Sequence, residues 1–536
     1  MLDRHQWIEA RKKTLQGIKD QVRVLLGPEE PSITDYARSY KETFLDRWDH
    51  SSRRDLSIAI HRSKIVLGGD FHAFAQAQRV HLRVLREYEG KLTLALECFE
   101  SKHQKYIDQF LDGSLQEDEF LHKISWQERW IFPWSHYRPL LMLALEKKFQ
   151  VVGINKYFAR ASGGNLYKRD QHAYGVIEKL FQENRDRIIY VIIGDLHLGY
   201  DHLPVLLEMG LGLSSKELLL LYQNAETLYF QLADQNVEHK VEILKASGNR
   251  FCVMGAPPWV KWQSYLMYLE QTYDRDIAEE EGIDYTEYMV SLIEFAGLDL
   301  KLSFSASEDV QVFDSGHELF WEHLSNDLAV NDLKVARYHI QTDRSFFLPK
   351  DSMFYLSRYS LNHSSDLAGQ YIHAKLSRRK FNLWNFPDDF LKWIWVQAVG
   401  FFFSKLVNHK RKAESLAQIK RQLSAMNPQD FGREALQLVL EQRFCEFIFI
   451  YSGKKRPRIQ QPLEFSSYII TGKILGQMMG ERLFLAFNQG RVDRDKLIEY
   501  LTRPLDGSSK DFERFYYNLA KRFESSTQIN LEGYNL

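Results

Sequence analysis

Two phrases in the first half of the chain place an aspartate and a histidine two residues apart at the end of an apolar run. They are Ile65-Val66-Leu67-Gly68-Gly69-Asp70-Phe71-His72 and Val191-Ile192-Ile193-Gly194-Asp195-Leu196-His197. In each, a β-branched stretch stops at glycine, which permits a tight turn and close backbone approach, and then presents Gly-Asp-x-His. Between them Glu97 ends the run Leu94-Ala95-Leu96, and Asn155 ends Val151-Val152-Gly153-Ile154. Two imidazoles and up to three carboxylates suit a divalent metal, with His72, His197, Glu97, Asp70 and Asp195 as candidate ligands. The same groups suit metal-free acid/base catalysis, one histidine taking a proton from water while a carboxylate orients its ring. A plainer reading has each aspartate capping the next helix and each histidine a satisfied polar group near the surface. Arg169, in Tyr167-Lys168-Arg169-Asp170, could reach the strand ends to hold an anionic group or neutralise developing charge. Asp170 itself reads as a residue at the start of that helix, favoured by capping and the helix dipole.

These residues can converge only if one sheet carries them. Apolar runs at 65–67, 92–96, 151–154, 188–193 and 218–222 read as strands, and 73–88, 103–111, 139–148 and 170–183 as intervening helices. Pro139 is expected in a first helical turn. The alternation predicts an α/β fold, a mainly parallel sheet with helices on both faces, whose ligands bind at the carboxyl ends of the strands. Residues 1–48 read as an N-terminal helical extension broken near Pro28 and Pro31, and 49–235 as the α/β domain. From 236 to 536 a large, mostly α-helical domain is expected. Gly248, Gly255 and Pro257-Pro258 punctuate its start, and 3.6-period segments such as 391–407 and 469–487 follow. A short strand is expected near 345–348.

At 536 residues the chain exceeds one ordinary domain, and 35 Phe, 27 Tyr and 11 Trp can fill large cores. Seventy basic residues against 71 acidic ones give no reason to expect nucleic acid or an anionic membrane as partner. Cys98, Cys252 and Cys445 lie far apart with no C-x-x-C, which points away from a disulfide framework or cysteine zinc site. Cys98 reads as a small core residue. The N-terminal stretch has neither the apolar core of a signal peptide nor a lipobox cysteine. The most apolar later stretch, 393–407, is short for a bilayer span, so a cytoplasmic protein without a membrane span is expected.

Six motifs now stand in order: Gly69-Asp70-Phe71-His72; Leu94-Ala95-Leu96-Glu97; Gln104 with Phe110-Leu111-Asp112-Gly113; Trp134-Ser135-His136-Tyr137-Arg138-Pro139; Gly153-Ile154-Asn155; and Gly194-Asp195-Leu196-His197. Over about residues 60–210 the chain resembles the ChaN-like haem-binding-uptake family, within the superfamily that includes Tiki proteases, TraB proteins and erythromycin esterases. The resemblance implies a shared site at the strand ends, with His72 and His197 as the motif histidines, Glu97 as the acidic residue and Arg169 as the basic one. Asp70 stands where the family's motif has glutamate, one methylene longer. The implied function is haem or iron binding. The alternatives are a metal-dependent hydrolase at the same site, or a non-catalytic scaffold whose helical half binds a protein partner or a second copy. Phe71, Trp134, Tyr137 and Asn155 are the candidate contacts for haem or a small-molecule substrate. Phe99, Trp130 and Phe132 cluster with them, although aromatic runs more often build core. No C-x-x-C-H is present for covalent haem attachment, and no axial ligand is assigned.

Weaker signals read as solvated surface: His317 and His323 flanking Glu318 and Glu322, and the basic run Gly453-Lys454-Lys455-Arg456-Pro457-Arg458. His81 reads as a helix-face histidine on the helix after the first motif.

Overall fold

The computed structural model describes the chain apart from residues 1–3, 28–30, 159–164, 184–185, 274–284, 303–308, 315–319, 321–323, 327, 358–359, 455–462 and 525–536. All five expected strands form and lie in one sheet. The strands are β1 (Asp49–Ser51), β2 (Ile65–Asp70), β3 (Leu92–Glu100), β4 (Gln150–Asn155), β5 (Ile188–Gly194), β6 (Leu218–Gln223), β7 (Ile243–Ala246) and β8 (Arg250–Val253). Their order is β1-β7-β8-β6-β2-β5-β3-β4. From β8 to β4 neighbours run parallel, while β7 and β1 are added antiparallel at one edge. Every residue of β2, β3, β5 and β6 is buried, as continuous apolar strands covered on both faces require.

Register places the chemistry. Asp70 lies opposite Gly194 and Leu96 opposite Ile192, so Asp70, Glu97 and the turn after Gly194 leave three adjacent central strands at one level. At the β4 edge, Gln104 substitutes for a further strand. Its amide donates to the Val151 carbonyl (2.8 Å) and accepts from the Gly153 N–H (3.1 Å), which blunts the open edge.

The helices of this unit are α1 (Arg4–Leu26), α2 (Pro31–Glu42), α3 (Arg53–Arg62), α4 (Ala75–Glu87), α5 (Gln104–Leu111) and α6 (Glu117–Lys123). They continue with α7 (Trp126–Arg129), α8 (Trp134–Lys147), α9 (Asn165–Glu183), α10 (Leu203–Leu211), α11 (Glu226–Asp234) and α12 (Pro258–Tyr273). Pro139 sits inside α8 rather than in its first turn. The carbonyl it leaves unbonded, on Ser135, belongs to an exposed residue that water can serve.

One compact unit spans Arg4–Asp274, beyond the boundary drawn at 235, and it includes the N-terminal helices. Pro257-Pro258 opens α12, which packs against α1, rather than closing the domain. The second unit, from Arg275, is mostly helical and carries a small sheet of β9 (Gln311–Asp314), β10 (Phe346–Leu348) and β11 (Met353–Leu356). At its centre the helix Phe465–Asn488 lies on the helix Phe390–Val407, with Gly472, Gly476 and Gly480 facing Trp393, Gln397 and Ala398. The helix Phe390–Val407 is 18 residues long and has the length and apolarity of a short membrane span. Of this helix 89% is buried, so its apolar side chains are used in packing. His317, Glu318, Glu322 and His323 lie outside the described residues, as does the basic run from Lys455 to Arg458.

Candidate functional site

Glu97, the residue on which β3 leaves its apolar run, is the centre of the site. Its side chain is only 4% exposed. One oxygen accepts the Gly194 N–H at 2.7 Å and lies 3.6 Å from His72 Nε2. The other lies 3.5 Å from His197 Nε2 and 3.7 Å from an Arg169 guanidinium nitrogen. Gly194 makes this approach possible, because a Cβ there would stand 3.2 Å from His72 Nε2 and 3.4 Å from Glu97 Oε2. The structure therefore brings His72, Glu97, His197 and Arg169 together.

Each imidazole also has a carboxylate of its own. Asp70 Oδ2 lies 2.9 Å from His72 Nδ1, and Tyr137 Oη and the Gln78 amide donate to the same carboxylate. For His197 the partner is Asp170, whose Oδ1 lies 2.5 Å from Nδ1 and whose Oδ2 accepts from Tyr36 Oη at 2.8 Å. Two sequence expectations are corrected here. Asp195 points elsewhere and pairs with Lys261 of α12 at 3.0 Å, so the second Gly-Asp-x-His does not repeat the first. Asp170 lies in the second turn of α9 and is buried. It occupies the inward face with Ala173, Ile177 and Leu180, and an acid on an apolar stripe is the signal that could have identified it.

Burial opposes charge on His197, but the charges and hydrogen bonds of Asp170 and Glu97 outweigh it and raise its pKa to about 10. For His72 burial is likewise outweighed, by Asp70 first and then Glu97 and Asp195, and its pKa is raised. Burial would raise Glu97; the histidines and Arg169 instead hold it well below the usual carboxylate range. The structure thus predicts a His197 imidazolium at neutral pH. Because its folded pKa lies above that of the unfolded chain, its stabilisation is full below about pH 6.5 and is lost as pH rises through about 10. An NMR titration of the ring should show protonation persisting past pH 8.5, roughly two units above an ordinary imidazole, and reverting toward the ordinary range in Asp170→Asn. An ordinary midpoint in the native protein would contradict the pairing.

The aromatic candidates divide by exposure. Tyr137, Phe99 and Trp130 are buried in the core, and Trp134 packs against Phe99, Phe110, Phe120 and Trp126. Tyr137 therefore anchors Asp70 rather than offering a ligand surface. Asn155 is buried, accepts from the Lys156 N–H, and stands with Ser101 rather than with the histidines. Phe71 and Phe132 remain half-buried. Phe132 lies 5.0 Å from the His72 ring and stacks on Tyr268 at 4.8 Å, while Phe71 meets Trp262 and Tyr265. Sequence reasoning missed this wall from α12, having assigned that helix to the other domain. It also missed Tyr36, Gln78 and Lys261. His81 lies on the buried face of α4, bonding Tyr190 Oη (2.9 Å) and the Gly69 carbonyl (3.0 Å). Among the described residues, no three His, Cys, Asp or Glu side chains are arranged to hold a metal ion.

Residues 57–161 match the family model described as "Haem-binding uptake, Tiki superfamily, ChaN". That segment carries β2 to β4, with Asp70, His72, Glu97 and Asn155; Asp170 and His197 lie beyond it. The search of curated proteins returned no match. Among solved structures, one entitled "Cofacial heme binding to ChaN of Campylobacter jejuni" is 14% identical, covering 32% of this chain and 86% of that one at a TM-score of 0.24.

Proposed function

We propose that the α/β unit, whose residues 57–161 match the haem-binding-uptake family, binds haem or its iron at the carboxyl ends of β2, β3 and β5. The observation that carries this reading is the state of His72. Its side chain is 22% exposed against 3% for His197, and its ring stands edge-on to Trp130 at 4.6 Å with Phe132 alongside. Asp70 holds Nδ1, which fixes the ring and raises the basicity of the opposite nitrogen. Nε2, 3.6 Å from Glu97, is the nitrogen left to meet a ligand.

A porphyrin requires a flat apolar face and an axial base. Phe132, Tyr268 and Phe71 fit the first, His72 fits the second, and Arg169, 30% exposed, suits a carboxylate of the ligand. Bound haem would supply an iron centre with redox or storage capacity. The protein's part is to orient His72 through Asp70 and Tyr137 and to hold charge balance through Glu97 and His197. The neighbouring cleft lined by Phe99, Trp126 and Trp130 has room for about 10 Å³, one water, and would not take a porphyrin, so His72, Phe71, Phe132 and Tyr268 are the residues that would hold it. Hemin added to the purified chain should give a saturable, stoichiometric Soret shift. A spectrum that stays that of free hemin at all protein concentrations would overturn the reading.

A further inference from the structure

Two histidines in the helical unit lie where an imidazole has nothing to bond. His339 stands near the end of the helix Val330–Gln341, and His373 near the end of the helix Leu361–Ser377. They are 4% and 0% exposed, and among the described residues neither ring nitrogen of either one has a hydrogen-bond partner. Aromatic rings lie against them. His339 is 5.4 Å from Phe346 and 5.9 Å from Trp384, and His373 stands edge-on to the fully buried Trp395 at 6.3 Å. An apolar side chain at either place would leave no unbonded polar atom in the core. A helix C-terminus favours an imidazolium, but an arginine follows each histidine around that end. Arg344 donates its backbone N–H to the His339 carbonyl at 2.8 Å, and Lys473 of the helix Phe465–Asn488 is a second cation acting on that ring. Arg379 donates its backbone N–H to the Ala374 carbonyl at 2.9 Å and its buried guanidinium to the Phe381 carbonyl at 2.8 Å, and it is the cation acting on His373. Among the described residues no carboxylate offsets these charges at either ring. Burial first, and then the cations, push both imidazoles down to about 3, so both are neutral at pH 7.

We propose that His339 and His373 are acid triggers of the helical unit: a proton on either ring expels it from the core and opens the helices Val330–Gln341 and Leu361–Ser377. Inside the core the added proton would have no acceptor and the imidazolium no counter-charge, so each ring binds its proton only when it reaches water. Opening therefore takes up one proton per histidine. Because the folded value lies below that of a free imidazole, the stability contributed by the neutral rings is full above about pH 6.5 and is lost progressively as pH falls toward 3. At the strand-end site the sign is reversed, since His72 and His197 have carboxylates of their own and hold their protons when folded. Acid thus loosens the helical unit through two residues that the strand-end site does not use.

Hydrogen exchange of the full chain, read by mass spectrometry and corrected for the intrinsic effect of pH, reports the opening of these two helices directly. Between pH 7.5 and 4.5 their protection should fall about 100-fold for each histidine that titrates on opening. His339→Phe combined with His373→Leu should flatten that response, whatever the stability of the variant itself. His339→Gln and His373→Gln, made singly, should each remove about 100-fold of the fall. Native protection that stays constant across this range, or an equal fall in the native chain and in these variants, would overturn the proposal.

Discussion

Replacing Glu97 with alanine should destabilise the α/β unit by about 3–5 kcal/mol, the range for removing one partner of a buried charge pair. The loss has two sources. Three positively charged or chargeable groups, His72, His197 and Arg169, surround that carboxylate within 3.7 Å and would be left facing one another. The Gly194 N–H would also lose its acceptor, worth about 1–3 kcal/mol when buried. The pH dependence follows from the direction of the shift. Glu97 is held below the usual carboxylate range, so its stabilisation is present above the ordinary pKa and is lost only as pH falls through the depressed one. The gap between native and variant should therefore persist through pH 4–5 and close only in strong acid. Glu97→Gln, which keeps an acceptor for Gly194, should lose less. Hydrogen exchange of the β3 and β5 amides reads the effect within this unit, and protection unchanged in Glu97→Ala would contradict it.

In the helical unit the largest effect is expected from Gly480→Val. A Cβ at Gly480 would collide with the backbone carbonyl of Ala398 and stand 2.9 Å from Phe401 Cβ and 3.1 Å from the Phe402 nitrogen. Backbone atoms cannot rotate away as a side chain can, so the helices Phe465–Asn488 and Phe390–Val407 must separate along their densest contact. The expected cost is about 3 kcal/mol or more, at or beyond the upper end of ordinary overpacking. Gly175→Ala in α9 makes the contrast, since nothing lies within 4 Å of a Cβ there. That change should be neutral or stabilising by up to about 1 kcal/mol, because alanine restricts the unfolded chain and favours helix. Thermal or urea unfolding of both variants tests the pair, and a Gly480→Val midpoint equal to that of the native chain would contradict the packing.

The central strands were legible because burial on both faces leaves a signature that needs no partner: Ile65 to Leu67 and Ile188 to Ile193 are apolar without a break. The strands β1, β7 and β8, on one side of the sheet, run only three or four residues, too few for a period to register. Glu97 and His197 could be nominated because strand ends in a parallel sheet must converge. The partner of His197 could not, because Asp170 reaches it from a helix 27 positions earlier through tertiary packing. The apparent repeat of Gly-Asp-x-His favoured Asp195, which lies next in the chain but is drawn aside by Lys261, a residue assigned to the wrong domain. The N-terminal helices and α12 share one cause of error: an amphipathic helix shows that it packs, and its sequence does not say against what.

The central claim, that His72 offers the open nitrogen of a haem site, is tested most directly by titrating hemin into His72→Ala beside the native chain, with folding checked by circular dichroism. The account predicts that the native chain gives the Soret band of a nitrogen-ligated haem, and that this band is lost in the variant while the sheet remains intact. An identical spectrum and affinity in the two proteins would contradict it.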